Sequence, residues 1–309
     1  MTIHIQCDAL SKFYKGIKAL DKFDLELSIQ QPTGIVGPNG AGKSTLFSIL
    51  CGFIRPSSGN VLVMGDTPDS GSNKGKLALL PQDTAMFKGI DVMTQLKHYA
   101  RLQGLNKQQA VEEATQALSH VQGNSFAKQY PETLSFGQRK RVMLAQSLIG
   151  KPELILMDEP TSGLDPVAAT EVRNLLRQLG DEYSIIISSH NLSEIEDICS
   201  DIVIMNKGKV ITHTSLSELT RTQQCFSLGL EQGSDVHLSE ILKEISEISK
   251  IENDKNDMKS WLIYYENAAA ESVQIKILSK LTEHNIAVSE LKKGKALADE
   301  ISAVIKNNN

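Results

Sequence analysis

The stretch Gly37-Pro38-Asn39-Gly40-Ala41-Gly42-Lys43-Ser44-Thr45 contains the complete pattern G-x-x-x-x-G-K-[ST]. It constrains the chain more than any other feature because its flanks supply the required context. Gly34-Ile35-Val36 reads as the end of a buried strand, and Leu46, Ile49 and Leu50 share one face of a helix opening near Lys43. Glycines at 37, 40 and 42 allow a sharp turn with amide hydrogens pointing inward, and the helix start adds its positive dipole end to that anion nest. Lys43 is placed to reach terminal phosphates and Ser44 to offer a hydroxyl to magnesium. The expected ligand is a nucleoside triphosphate.

The 309 residues carry a net charge of −5 with both signs interspersed. Without a long basic block the footprint of a nucleic-acid binder is missing, so no nucleic-acid partner is expected. Apolar content is 40%, enough for an ordinary core, and the length suggests about two domains. Cys7, Cys51, Cys199 and Cys225 are scattered among apolar neighbours and read as buried free thiols of a reducing compartment. No signal peptide is read at the N-terminus, and no run of about 18 apolar residues appears. Any membrane role is therefore expected to pass through a partner.

Short alternating runs (Ile3, Ile5, Cys7; Phe23, Leu25, Leu27, Ile29) predict an antiparallel β-subdomain ahead of the phosphate loop. Within it Phe13-Tyr14 lies in a polar turn, where Tyr14 is either a ring for stacking on a base or amphipathic surface. Strands are expected at Gly59–Gly65 and Leu77–Leu80, and from 91 to 122 the spacing turns helical, with a break at Gly104-Leu105-Asn106. A third helix starts after Leu134-Ser135-Phe136-Gly137-Gln138. Apolar runs at Leu154–Met157 and Ile185–Ile187 read as buried strands, with a helix opened by Pro166 between them. Alternating strands and helices over 145–212 imply a parallel, helix-covered sheet.

Ligands of such sheets sit beyond the carboxyl ends of the strands. Asp158 leaves one strand end as a carboxylate suited to magnesium, and Glu159 beside it can accept a proton from attacking water. His190 leaves another, either as a structural group or as a hydrogen-bond partner of the terminal phosphate. Gln82 leaves a third, where its amide oxygen can complete magnesium coordination.

Taken in order, the phosphate loop, Gln82, Leu134–Gln138, Leu154–Glu159, Ser162-Gly163-Leu164-Asp165 and His190 resemble the nucleotide-binding subunit of an ATP-binding cassette (ABC) transporter over roughly residues 1–220. The resemblance implies a P-loop ATPase with a mixed sheet, an antiparallel β-subdomain and a helical subdomain at about 91–150. It implies that Pro38, Asn39, Ala41 and Thr45, with the rest of the loop, hold ATP and Mg2+, and that Tyr14 stacks on adenine. Catalysis falls to Glu159, His190 and Lys43, and the metal to Ser44, Gln82 and Asp158. Ser135, Gly137 and Gln138 would serve the ATP of a second subunit, and Asp165 would sit in the loop crossing that dimer. Phe136 departs from the family pattern, which has glycine there. Phrases such as Tyr99–Leu105 look most like ATPase subunits of ABC-2 type bacterial exporters, acting with separate membrane subunits on the cytoplasmic face. A soluble cassette acting on nucleic acid or ribosomes, and an importer ATPase regulated by its C-terminal domain, are the alternatives.

The division expected is a cassette at 1–219 and an accessory domain at 220–309. Thr220–Gln224 reads as a linker. Beyond it come strand (225–230), helix (238–248), strands near 251 and at 261–265, helix (268–283) and strand (286–291). That order predicts a ferredoxin-like α+β sandwich with Trp261 in its core. A final helix at 296–305 would end in a frayed tail.

Overall fold

The computed structural model describes residues 3–83, 85–221, 225–231, 238–253 and 260–293. The chain divides into two compact units, Met1–Thr214 and Ser215–Asn309. Residues 222–224 of the expected linker, and the expected helix at 296–305 with its tail, lie outside the described residues. Thr220 and Arg221 are not linker: they close a short helix, Leu216–Arg221.

In the first unit β1 (Ile3–Tyr14) and β2 (Ile17–Ile29) form an antiparallel hairpin, joined on the other side of β1 by β4 (Ser58–Val63). The alternation works as the period of a strand demands: Phe23, Leu25, Leu27 and Ile29 are buried and the residues between them face out or partly out. The second sheet has six strands in the order β5-β6-β7-β3-β8-β9. Here β3 is Thr33–Val36, β5 Leu77–Leu80, β6 Leu154–Asp158, β7 Ser184–Ser189, β8 Asp201–Asn206 and β9 Lys209–Ser215. The five from β5 to β8 run parallel, and β6 is buried at all five positions, as a strand covered on both faces must be.

Helix α1 (Lys43–Leu50) lies between the two sheets. One core cluster joins Ile5, Phe23, Leu46, Phe47, Ile186 and Val203, and among the described residues it draws on none between Leu79 and Leu154. That interval holds α2 (Val92–Leu102), α3 (Lys107–His120) and α4 (Phe136–Leu148). The break before α3 has a local cause. Gly104 takes φ +92°, and Asn106 caps α3 in a reciprocal capping box with Gln109. Helix α5 (Pro166–Gly180) precedes β7, and α6 (Leu192–Ile198) precedes β8.

In the second unit β10 (Cys225–Leu230), β11 (Ile248–Asn253), β12 (Ser260–Tyr265) and β13 (Val288–Lys293) form an all-antiparallel sheet in the order β11-β12-β10-β13. With the helices at Leu238–Leu242 and Ala270–Glu283 this is the split βαβ arrangement of a ferredoxin-like sandwich. Phe226, Leu228, Ile263, Val273 and Ile277 form its core, and Trp261 packs against it. The helix expected over 238–248 ends at Leu242. Ile245 and Ile248 keep their inward positions, but through turns that bond Ile245 N to Leu242 O and Ile248 N to Ile245 O. The apolar period outlasts the helix.

Candidate functional site

Parallel pairing brings the ends of β5, β6, β7 and β3 to one edge, through partners such as Leu80 with Met157, Asp158 with Ser188, and Val36 with Ser189. The phosphate loop leaves β3 at that edge. Gly37 is there for space: a Cβ would meet Met205 O at 2.3 Å and the Ala41 Cβ at 2.9 Å. Gly42, which caps α1 at φ +106°, could bear no side chain either, since a Cβ would lie 2.4 Å from Ala19 O. Pro38, Asn39, Gly40 and Ser44 are exposed, whereas Ala41 and Lys43 are buried.

The Lys43 ammonium donates to Gly37 O at 2.7 Å and Pro38 O at 3.4 Å, spanning its own loop. Burial holds its pKa below the ordinary lysine range, opposed by the nearby charges of Glu159 and Asp158. A buried cation at the start of a helix is matched to an anion.

Asp158 ends β6 and its carboxylate accepts a hydrogen bond from the Ser188 hydroxyl of β7, both residues being buried. Glu159 follows in the left-handed region, at φ +47°, with its N–H donating to Ser188 O at 3.0 Å. That backbone costs a non-glycine residue about 1 kcal/mol, and such strain collects at functional sites. It turns the Glu159 carboxylate toward two residues from separate strands. Oε1 lies 2.8 Å from His190 Nδ1, and Oε2 accepts from Gln82 Nε2 at 3.4 Å. Glu159 is 8% exposed, while the His190 side chain is half open to solvent. Lys43, Asp158, Glu159, Gln82 and His190 therefore meet in one place.

The remaining sequence candidates are not part of that cluster. Tyr14 is exposed at the tip of the β1–β2 hairpin, with the Lys12 ammonium 5.3 Å from its ring centroid. Ser135 caps α4 by accepting from Gln138 N at 3.2 Å, while Gln138 Oε1 accepts from Ser135 N at 2.9 Å. Gly137 packs toward Ala168, where a Cβ would sit 3.1 Å from the alanine methyl. Asp165 caps α5, accepting from Val167 N and Ala168 N at 3.0 Å each. Phe136, exposed beside them, reaches across to Gly163, and the Arg139 guanidinium lies 5.6 Å from its ring centroid.

Three site residues escaped the sequence reading. Ser188 gave no signal beyond its place at a strand exit. Glu194, 1% exposed, accepts from the Ser189 hydroxyl at 2.5 Å, and burial pushes its carboxyl up. Lys140 is also buried, with its ammonium donating to Gln82 O at 3.3 Å.

For magnesium the available donors are the Ser44 hydroxyl, the Asp158 carboxylate and the Gln82 amide, an all-oxygen set that suits a hard cation shared with phosphates. Among the described residues no group of three or more His, Cys, Asp and Glu could hold a metal by itself. Among them, too, no helix is long and apolar enough to cross a membrane.

The fold and the edge cluster define a P-loop ATPase of the cassette type. The ABC transporter family model matches residues 20–162. The cobalt import ATP-binding protein CbiO of Salmonella typhimurium is 33% identical over 67% of this chain and 79% of its own. The linearmycin resistance ATP-binding protein LnrL of Bacillus subtilis is 28% identical over 93% of both chains. The solved structure of cbiO1 from Clostridium perfringens, part of the ABC transporter complex cbiONQ, superposes with a TM-score of 0.65 at 28% identity, over 71% of this chain and 91% of that one. The chain belongs to the ATP-binding subunits of ABC transporters, which are ATPases.

Proposed function

We propose that this chain hydrolyses ATP as one half of a cassette pair and drives export through separate membrane subunits, from the cytoplasmic face. The observation carrying the hydrolytic part is the convergence of Glu159, His190 and Gln82 beside Lys43. A magnesium ion held here would supply positive charge to offset that of the nucleotide's phosphates. The Lys43 ammonium exchanges the carbonyls of Gly37 and Pro38 for phosphate oxygens, and Ser44, Asp158 and Gln82 hold the metal. The Glu159 carboxylate takes the proton of the attacking water, and His190 fixes that carboxylate through Nδ1. Tyr14 supports the base. The start of α4 in a second copy, with Ser135, Gly137 and Gln138, closes the far side, and Asp165 stiffens the loop that crosses between copies.

The groove lined by Gln82, Asp83, Met86, Phe136, Arg139 and Met143, about 550 Å³, is the surface offered to the membrane subunits. Export is favoured over import because the match to LnrL, named for resistance, extends through most of the C-terminal unit, while that to CbiO, named for import, covers 67% of the chain. Light scattering of Glu159→Gln with ATP tests the pair: a shift from monomer to dimer is expected, and a monomer at saturating ATP refutes it. Uptake of substrate into inside-out vesicles carrying the membrane subunits tests direction, and loss of preloaded substrate from them would reverse it.

A further inference from the structure

Lys140 lies five residues beyond the cap of α4, on its inner face, and is 4% exposed. A long cationic side chain is seldom buried to that degree without a partner. Here the partner is a main-chain group of another element: Nζ donates to the carbonyl of Gln82 at 3.3 Å, at the exit of β5. Burial holds the Lys140 pKa below the ordinary lysine range, opposed by the more distant charges of Asp83, Glu194, Asp158 and Glu159. The lysine is thus held by one directional bond and a diffuse field, an arrangement that a shift of α4 by an ångström or so can break.

The two ends of this link serve different nucleotides under the reading given above. Gln82 donates to Glu159 in the site built on this chain's own phosphate loop. Ser135, at the head of α4, belongs to the site completed for a second copy. We propose that Lys140 is a positioning residue that couples the two ATP sites of the pair, by tying the Gln82 main chain of one site to the helix that closes the other. Engagement of α4 by the second copy's nucleotide moves Lys140, and Lys140 moves the Gln82 amide relative to the Glu159 carboxylate. The inference rests on the cassette pair proposed above.

The test uses the full chain and compares ATPase cooperativity with nucleotide binding. In wild type, hydrolysis should rise with ATP with a Hill coefficient approaching about two, the number of sites. Lys140→Met should bring it to about one and lower kcat by about 5-fold or more, while the Kd for a fluorescent ATP analogue stays within about 3-fold of wild type. Lys140→Arg, which keeps a donor of similar reach, should recover part of the cooperativity. Should Lys140→Met fail to fold, Lys140→Gln takes its place. Unchanged cooperativity in either variant overturns the inference, as does loss of nucleotide binding in step with thermal stability, which marks a purely structural lysine. A wild-type coefficient of one overturns it too. Dimerisation of Glu159→Gln separates the causes: a dimer without Lys140-dependent cooperativity sinks the coupling alone, and no dimer sinks the pair and the coupling together.

Discussion

If His190 acts through Glu159, the two residues must behave as one catalytic unit. Glu159→Gln removes the carboxylate that accepts the proton, a loss of about 10² to 10⁴ in kcat, or about 2.7–5.5 kcal/mol on the barrier. The fold should be spared, because the bond from Glu159 N to Ser188 O and the left-handed backbone do not depend on the side-chain charge. His190→Ala removes the 2.8 Å partner of Oε1. A hydrogen bond to a charged group is worth about 1.5–3 kcal/mol, so kcat should fall about 10- to 150-fold. Were the contributions independent, the double variant would lose the product of the two factors. Since a histidine that only orients the carboxylate has nothing left to orient once the acid is gone, the double variant should be no slower than Glu159→Gln alone, within about 3-fold. Steady-state phosphate release from the four proteins at saturating ATP measures the cycle. Multiplicative losses would refute the reasoning and give His190 a phosphate contact of its own.

Three further outcomes follow from the geometry. Gly37→Ala should lower unfolding free energy in urea by about 1–3 kcal/mol or more, because its methyl would meet the Met205 carbonyl at 2.3 Å; an unshifted midpoint refutes that packing. Tyr14→Ala should weaken binding of a fluorescent ATP analogue by about 1–3 kcal/mol of lost stacking, with Tyr14→Phe near wild type, and equal binding by all three removes Tyr14 from the site. Burial raises the Glu194 carboxyl above its unfolded value, so its contribution to stability is complete below about pH 4.3 and is lost as pH rises through the folded value. The unfolding free energy of wild type minus that of Glu194→Gln should accordingly fall as pH rises above about 4.3 in urea titrations, and a flat or rising difference contradicts a raised Glu194 carboxyl.

The phosphate loop was legible because its pattern and its strand and helix flanks coincide in sequence. Asp158, Glu159, His190 and Gln82 were legible as strand-end residues, since parallel topology assigns all such ends to one edge. Their mutual contacts were not. That Glu159 meets Gln82 on one oxygen and His190 on the other depends on the backbone at Glu159, which no pattern announces for a glutamate. Lys140 was hidden by its own residue type: on an amphipathic helix a lysine is assigned to water, whereas here it is buried and bonded to the Gln82 carbonyl. The capping box of Ser135 and Gln138 was within reach, because S-x-x-Q ahead of an apolar run is its signal. In the C-terminal unit the inward spacing of Leu238, Leu242, Ile245 and Ile248 predicted too long a helix, since turns can carry the same spacing.

The core that joins the antiparallel sheet, α1 and the parallel sheet has a consequence for how the molecule can move. The hairpin bearing Tyr14 and the loop bearing Lys43 are built on one continuous packed body, which takes none of its side chains from the described residues between Leu80 and Glu153. Such interiors resist deformation. Under the proposed function, the distance between the base support, Tyr14, and the phosphate support, Lys43, is held by that packing, like the jaws of a gauge. Under the proposed coupling, grip and response belong to different pieces of the same chain: the packed body sets the spacing of Tyr14 and Lys43, and the link from Lys140 to Gln82 carries a movement of α4 to the Glu159 side of the site.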